Sequence, residues 1–148
     1  MIDAHVHVFA KVSREFPREA HDVMPADREE NVETLLQTME TYGINQATLV
    51  QIGGKSLKNH AYLRHCLKSY PHKFKGIGLV PNPQYPEDHM DQLAEDGSVV
   101  GFRLHEIGGP KDPLSPIDVR TFRTYPVWKH AAERNYIVWL YPRASEAH

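Results

Sequence analysis

The strongest constraint on the fold is a strict alternation of strand-like and helix-like segments along the chain. Five apolar, β-rich segments are predicted as strands, and amphipathic segments with i, i+3, i+4 apolar spacing separate them. The predicted strands cover residues 1–9, 46–52, 74–80, 99–105 and 136–141. The predicted helices begin near Asp27, Asn59, Pro86 and Pro126, with Asn59 as a capping residue. This order indicates parallel strands joined by right-handed crossovers.

Two architectures fit this alternation: an open doubly wound sheet, or part of an eight-stranded barrel. The predicted strand centres lie about 34 residues apart on average, so eight units would need roughly 270 residues, a typical barrel length. The chain has 148 residues. Residues 145–148 resemble the capped start of another helix. We therefore expect residues 1–148 to be the N-terminal part of a single TIM-type α/β barrel, incomplete and with about five strands present.

Charge and composition exclude several classes of partner. Seventeen Lys and Arg against nineteen Asp and Glu give a net charge of −2, which is too balanced for a nucleic-acid groove or a polybasic membrane patch. The apolar runs are too short for a signal peptide or a membrane span. The single cysteine, Cys66, excludes an intramolecular disulfide and favours a reducing compartment. We expect a cytoplasmic domain that binds a small molecule.

His5 and His7 are the first candidate site residues. Residues at i and i+2 of a strand project from the same face, so both imidazoles can point toward one cation. They also lie near the C-terminal end of the first strand, where the active sites of parallel barrels are found. The alternative is a pair of polar strand residues bonded to backbone carbonyls. Two ligands do not complete a zinc site.

Arg103 lies in an otherwise apolar predicted strand, where a charged group needs a partner. Two interpretations are open. The guanidinium could form a fork for a substrate carboxylate, or it could form a structural ion pair with a carboxylate such as Asp3.

The chain contains ten histidines, and most of them lie away from the first strand. Five fall on or beside predicted helices, and we expect them to be solvated. They are His60, His65, His72, His89 and His130. His21 lies in the first long loop, from which it could approach His5 and His7.

Five segments of the chain resemble one enzyme family. The segment Ile2-Asp3-Ala4-His5-Val6-His7 is similar to the His-x-His signature that opens the amidohydrolase superfamily, in its amidohydrolase-related branch of decarboxylases and lactone hydrolases. The other segments follow in that branch's order, so that the resemblance covers nearly the whole chain. They are residues 31–43 with 47–51, the Asn-x-x-Tyr-Leu helix start at 59–63, residues 74–81 and residues 100–104.

The resemblance implies a distorted eight-stranded barrel whose strand-one histidines bind a divalent metal, commonly zinc. By position, His5 and His7 take that role. In metal-independent lactonases of the branch, the same histidines would contact the substrate directly. A bound metal would polarise a water or the substrate carbonyl. The further ligand and the catalytic base, a His and an Asp, belong to strands beyond residue 148, so the catalytic residues are unknown here.

The resemblance also bears on substrate binding. Related decarboxylases place a histidine at the end of strand five, where this chain has Tyr141. His105, at the end of strand four, could partly compensate as a ligand, or it could be a solvated loop residue. The resembling lactonases act on polyacids, which fits the carboxylate-binding interpretation of Arg103. The predicted substrate-binding residues are therefore Arg103, His105 and Tyr141.

Together these features predict a metal-dependent hydrolase that acts on a small cyclic ester (lactone) or amide carrying carboxylates. One alternative is a metal-dependent decarboxylase of the same branch, a C–C lyase. Another, from a different class, is a non-catalytic fragment or assembly module. Because a five-stranded half-barrel leaves its first and last strands unpaired, we expect a homo-oligomer or pairing with a missing C-terminal half.

Overall fold

The computed structural model describes residues 1–109 and 118–141, and it places five strands and four α-helices there. The strands are β1 (Ile2–Val6), β2 (Gln46–Val50), β3 (Phe74–Leu79), β4 (Val99–Leu104) and β5 (Ile137–Leu140). The helices are α1 (Val32–Thr41), α2 (Ala61–Ser69), α3 (Glu87–Ala94) and α4 (Tyr125–Arg134). The predicted helix start at 145–148 lies outside the described residues. No helix within the described ranges is long and apolar enough to cross a membrane.

All five strands form one parallel sheet in the order β1-β2-β3-β4-β5. Each crossover moves one strand in the same direction, so right-handed connections place the helices on one face of the sheet. A doubly wound sheet would instead reverse its strand order and carry helices on both faces. The sheet is an open half-barrel, which confirms the prediction of an incomplete TIM-type barrel.

The main core lies between the helices and the convex face of the sheet. Leu49 of β2, Phe102 of β4 and Met90 of α3 are fully buried in it. Burial of each such side chain contributes about 1.5–3 kcal/mol. Gly76 in β3 allows α2 to approach closely, because a Cβ there would lie 2.6 Å from Leu67 Cδ1. The convex face therefore holds the helices, and the concave face is left for the site.

The starts of two helices differ from the sequence prediction. Helix α1 begins later than predicted, because Asn31 Oδ1 accepts the backbone N–H of Thr34 at 2.9 Å and caps the helix there. Asn59 does not cap α2, because it lies inside a 3₁₀ turn (Lys58–His60) that leads directly into the helix. Its Oδ1 instead accepts the backbone N–H of Ser56 at 3.1 Å. Asn59 therefore organises the β2–α2 loop.

The prediction that His60 and His89 are solvated is wrong. His60 has no exposed surface, its Nδ1 donates to the Ser56 carbonyl at 2.7 Å, and its Nε2 accepts the Leu79 N–H at 2.9 Å. The half-buried His89 donates from Nε2 to the Leu79 carbonyl at 2.8 Å. The two rings thus hold the backbone at the C-terminal end of β3. Burial lowers the pKa of both imidazoles, and that of His60 falls to about 4.

His130 is also buried, contrary to the prediction, whereas His65 and His72 are exposed as expected. His130 Nε2 donates to Asp91 Oδ1 at 2.8 Å. The same carboxylate accepts Tyr136 Oη–H at 2.9 Å and Arg134 Nη2–H at 2.9 Å. Asp91 thereby ties α3 to α4 and to the start of β5.

We predict that His60 makes the fold sensitive to acid. Its pKa is about 4 when folded and 6.5 when unfolded, so the unfolded chain binds a proton first as the pH falls. The contribution is complete above pH 6.5 and is lost progressively toward pH 4, a difference of about 3 kcal/mol. Urea unfolding across this pH range measures it.

His60→Gln should be less stable at neutral pH and should lose most of this pH dependence. His72→Gln, which changes an exposed histidine, should keep the parent slope. If the slope of the His60 variant matched that of the parent, another group would be responsible.

Candidate active site

The concave face of the sheet brings together side chains from its two edge strands. His5 lies on β1 and Trp139 lies on β5, yet their ring centroids are 5.5 Å apart in an edge-to-face contact. In a parallel barrel, side chains from alternate strands meet in layers across the interior. The half-barrel is therefore curved tightly enough that its first and fifth strands already share one interior layer.

His5 and His7 point their Nε2 atoms at each other, 3.2 Å apart. His7 Nδ1 lies 2.7 Å from the Val50 carbonyl, which can only accept, so neutral His7 carries its proton on Nδ1 and a lone pair on Nε2. Two imidazole ligands of a tetrahedral zinc ion, each at about 2.0–2.1 Å, have nitrogens about 3.3 Å apart. The spacing of the two nitrogens therefore matches two ligand positions of one divalent cation. In the structure itself the contact is a hydrogen bond that His5 Nε2–H donates to His7 Nε2, so a cation would replace that proton.

The electrostatic surroundings of His5 favour its neutral form. Partial burial, followed by the neighbouring His7 and Arg103, lowers the pKa of His5, while Asp3 opposes this shift. Asp3 Oδ1 accepts the backbone N–H of His5 at 3.1 Å. A neutral imidazole is the form that can bind a metal.

Arg103 lies on the concave face of the sheet, beside Trp139 in the β4–β5 register. No carboxylate of the described residues is within ion-pair distance of its guanidinium, and its buried Nε has no hydrogen bond. The Arg103 Cζ lies 4.8 Å from the centroid of the Tyr141 ring. An ion pair with Asp3 does not form, because the register of β1 shifts between Asp3 and Val6 and the Asp3 carboxylate turns to its own backbone.

His105 and Tyr141 form the rim beside Arg103. Both side chains are exposed, and their ring centroids lie 6.4 Å apart. The backbone N–H of Tyr141 donates to the Leu104 carbonyl at 2.9 Å, which holds the end of β5 against β4. The three predicted substrate-binding residues therefore lie together at the C-terminal end of the sheet.

The described part of the chain contains no group of three or more His, Cys, Asp or Glu side chains able to hold a metal. His21 exchanges backbone hydrogen bonds with Met24 in its own loop. Within the described residues, the candidate metal centre consists of His5 and His7 alone.

Sequence reasoning missed two parts of the site: the place of Trp139 beside His5, and the Val50 carbonyl that orients His7. A usable signal existed for Trp139. Residues two apart on a strand share a face, so alternation alone puts Trp139 on the same face as Tyr141 of the predicted strand 136–141. No signal existed for the carbonyl, because its position depends on the folded β1–β2 pairing.

No protein-family model matches the chain. No curated protein matches it either. Several solved structures do match it in three dimensions.

One of these structures is a probable 2-pyrone-4,6-dicarboxylic acid hydrolase from Acinetobacter baumannii with citric acid bound. Its TM-score is 0.68 at 23% identity, and the match covers 94% of this chain and 48% of that one. An amidohydrolase from Burkholderia multivorans with bound zinc has a TM-score of 0.58 at 18% identity, with coverages of 93% and 47%. A dihydroxybenzoic acid decarboxylase from Polaromonas sp. JS666, with bound manganese and the inhibitor 2-nitroresorcinol, has a TM-score of 0.59 at 16% identity, with coverages of 96% and 49%.

These structural neighbours are members of the amidohydrolase superfamily. The likeness shows that this chain shares their fold, and it agrees with the resemblance carried by the sequence motifs. The chain spans about half the length of each neighbour. Its five strands thus correspond to one half of such a barrel.

Replacing Arg103 should test whether its charge has a structural role. We predict that Arg103→Met leaves the free energy of unfolding unchanged or raises it by about 1 kcal/mol, because it removes a half-buried cation whose Nε lacks a hydrogen bond. Urea unfolding measures this, with Asp3→Asn as the companion variant. A loss of more than about 1 kcal/mol in both variants would instead establish a structural pair.

Proposed function

We propose that this chain provides one half of the active site of a metal-dependent hydrolase that cleaves small cyclic esters or amides carrying carboxylates. The proposal rests above all on the 3.2 Å between the Nε2 atoms of His5 and His7, with the His7 tautomer set by Val50. Such a backbone hydrogen bond is the usual way in which proteins orient a histidine ligand.

His5 and His7 would hold a divalent cation through their Nε2 lone pairs. The zinc and manganese bound in two structural neighbours support a divalent ion, and imidazole ligands suit zinc. When bound, the ion would supply Lewis-acid chemistry and lower the pKa of a coordinated water. If the enzyme works without a metal, the same two imidazoles would contact the substrate.

Arg103 would bind a carboxylate of the substrate. Its guanidinium is half-buried, its Nε lacks a partner and the Tyr141 ring packs on it, so N–H groups remain for an incoming carboxylate. A bidentate guanidinium–carboxylate contact would orient the substrate next to the histidine pair. Tyr141 and His105 would line the entrance. The citric acid bound in one neighbour supports a polycarboxylate substrate.

The remaining ligand and the acid–base group would come from β/α units other than residues 1–148. Two imidazoles and a guanidinium can bind a metal and a substrate, but they do not provide the proton transfer that hydrolysis requires. We therefore expect the 148-residue chain alone to have no measurable hydrolase turnover.

A metal-dependent decarboxylase is the second candidate. The likeness to the manganese-bound dihydroxybenzoic acid decarboxylase favours it. The same three side chains would bind a metal and a carboxylate in either reaction, so the acid–base group that completes the site would decide between them. Release of CO₂, as opposed to ring opening of a lactone, would identify this function in a completed enzyme.

The two free edges of the sheet would be covered by a partner. Ile2 on β1 is 65% exposed, Ile137 on β5 is 51% exposed and Tyr141 is 60% exposed. Unpaired edge strands offer free backbone N–H and C=O groups, which proteins usually pair or cover. Because the structural neighbours are about twice as long, we propose a second set of parallel β/α units that closes the barrel between β5 and β1. Pairing of two copies, or a non-catalytic assembly, would be the other outcomes.

We also propose a cytoplasmic location. The one cysteine, Cys66, is a buried free thiol, and burial raises its pKa to about 12. With a single cysteine the chain forms no intramolecular disulfide. Such a chain gains no stability from an oxidising compartment, and a reducing one suits it.

Zinc binding tests the proposed metal site. Calorimetric titration with Zn²⁺ should show one site whose affinity falls about tenfold or more in His5→Ala and in His7→Ala, because each variant keeps a single imidazole. His72→Ala removes an exposed histidine from the loop before β3 and should bind like the parent. Equal affinities in all four proteins would contradict the assignment.

Self-association tests the uncovered edges. Without its partner, the chain should form oligomers or aggregates by light scattering, because β1 and β5 offer unpaired backbone groups. Ile137→Lys should reduce this association, whereas Tyr42→Lys, at the end of α1, should not. A single monomeric species with cooperative melting would show that the edges need no partner.

A further inference from the structure

The loop between β1 and α1, residues 7–31, directly follows the strand that carries His5 and packs against the β2–α2 loop and helix α2. It begins at His7 itself and contains no helix or strand, only two isolated bridges. One of them joins Phe9 and Glu30 through two backbone hydrogen bonds of 2.9 Å, and so closes the base of the loop. Something other than a helix or sheet must hold the loop in place.

That role falls to the side chain of Arg18, which is only 9% exposed. All three nitrogens of its guanidinium donate to backbone carbonyls of the same loop. Nε donates to Ala10 at 3.0 Å, Nη1 to Met24 at 2.9 Å, and Nη2 to Pro25 at 2.6 Å and Arg28 at 2.8 Å. One guanidinium therefore satisfies four carbonyls along the loop.

The guanidinium has no carboxylate at ion-pair distance among the described residues. Its Cζ lies 4.9 Å from the centroid of the Phe9 ring. Burial and then Arg28 lower the pKa of Arg18, while Asp27 only partly offsets this effect. The hydrogen bonds of the guanidinium stabilise the closed loop. Desolvation of its charge opposes closure, because the guanidinium of an open loop would be hydrated.

Apolar packing and a few hydrogen bonds fasten the loop to the rest of the fold. The centroid of the Phe16 ring lies 5.1 Å from that of the Tyr62 ring of α2, and Val8 and Met24 are buried. The Glu19 N–H donates to the Gly53 carbonyl at 2.8 Å, and the Asn59 side chain reaches the Pro17 carbonyl at 3.5 Å. The space between this loop and the β2–α2 loop is filled, with a cavity of only about 10 Å³. The closed arrangement is well packed but joined to the sheet at few points.

We propose that the β1–α1 loop opens and closes as one unit beside the histidine pair, with Arg18 as its latch. Opening breaks the four carbonyl bonds together, because one guanidinium makes them all, and it leaves the sheet intact. Because the unit starts at His7, its opening would also loosen the chain that follows one candidate metal ligand.

Amide hydrogen exchange of the 148-residue chain at low urea concentrations tests this proposal. The reporters in the loop are the amides of Val12, Glu19 and Met24, whose hydrogen bonds close it. They should exchange through one shared opening, at a free energy below that of global unfolding. The amides of Gln51 and Gly76 bond across the sheet and should exchange only through larger openings.

Arg18→Met should speed the exchange of the three loop reporters by about tenfold or more and leave the sheet reporters unchanged. Arg18→Lys replaces the guanidinium with one ammonium group. The exchange rates of its loop reporters should lie between those of the parent and those of Arg18→Met. Arg14→Met is the matched control, since Arg14 is an exposed arginine of the same loop.

Three results would overturn the proposal. The first is that the loop reporters of the parent exchange with unrelated free energies, or only through global unfolding. The second is that Arg18→Met exchanges like the parent. The third is that this variant speeds the loop and sheet reporters by the same factor.

Discussion

The curvature of the parallel sheet is the constraint on which the site depends. Because the strands follow one another in sequence order, the helices occupy the convex face and the concave face is free to carry polar side chains. The contact between His5 and Trp139 shows how tightly the sheet is rolled, since it joins the first strand to the fifth. A flatter sheet would separate His5 from Arg103, and the candidate site would not exist.

The C-terminal end of the sheet is organised by polar side chains that bond to backbone carbonyls. Val50 orients His7, and Leu79 is held between two histidines. Gln51 is buried and donates to the carbonyls of Ile52, at 2.8 Å, and Asn59, at 3.0 Å. The loops above the sheet have little regular structure of their own, so these bonds replace the missing helix and strand ladders. The precision of the site thus depends on buried polar groups as well as on apolar packing.

The sequence predicted most of the fold, because strand and helix periodicity depends on local apolar spacing. From the strand repeat of two it also predicted that His5 and His7 lie close together; their Nε2 atoms are 3.2 Å apart, although β1 ends at Val6 and His7 follows it. It did not reveal that His60 and His130 are buried, because their partners, Leu79 and Asp91, lie far away in the chain. The sequence also left open whether Arg103 pairs with Asp3 or binds a substrate carboxylate. Only the folded structure shows that the Asp3 carboxylate bonds to the backbone N–H of His5. Local patterns give the elements, whereas pairings between distant segments give the site.

The proposed metal site is tested by a crystal structure of the chain soaked in Zn²⁺, with anomalous diffraction data collected at the zinc edge. One strong peak is expected on the concave face, about 2.0–2.1 Å from the Nε2 atoms of both His5 and His7. Zinc held elsewhere, for instance by the exposed His65 or His72, with no density between His5 and His7, would contradict it.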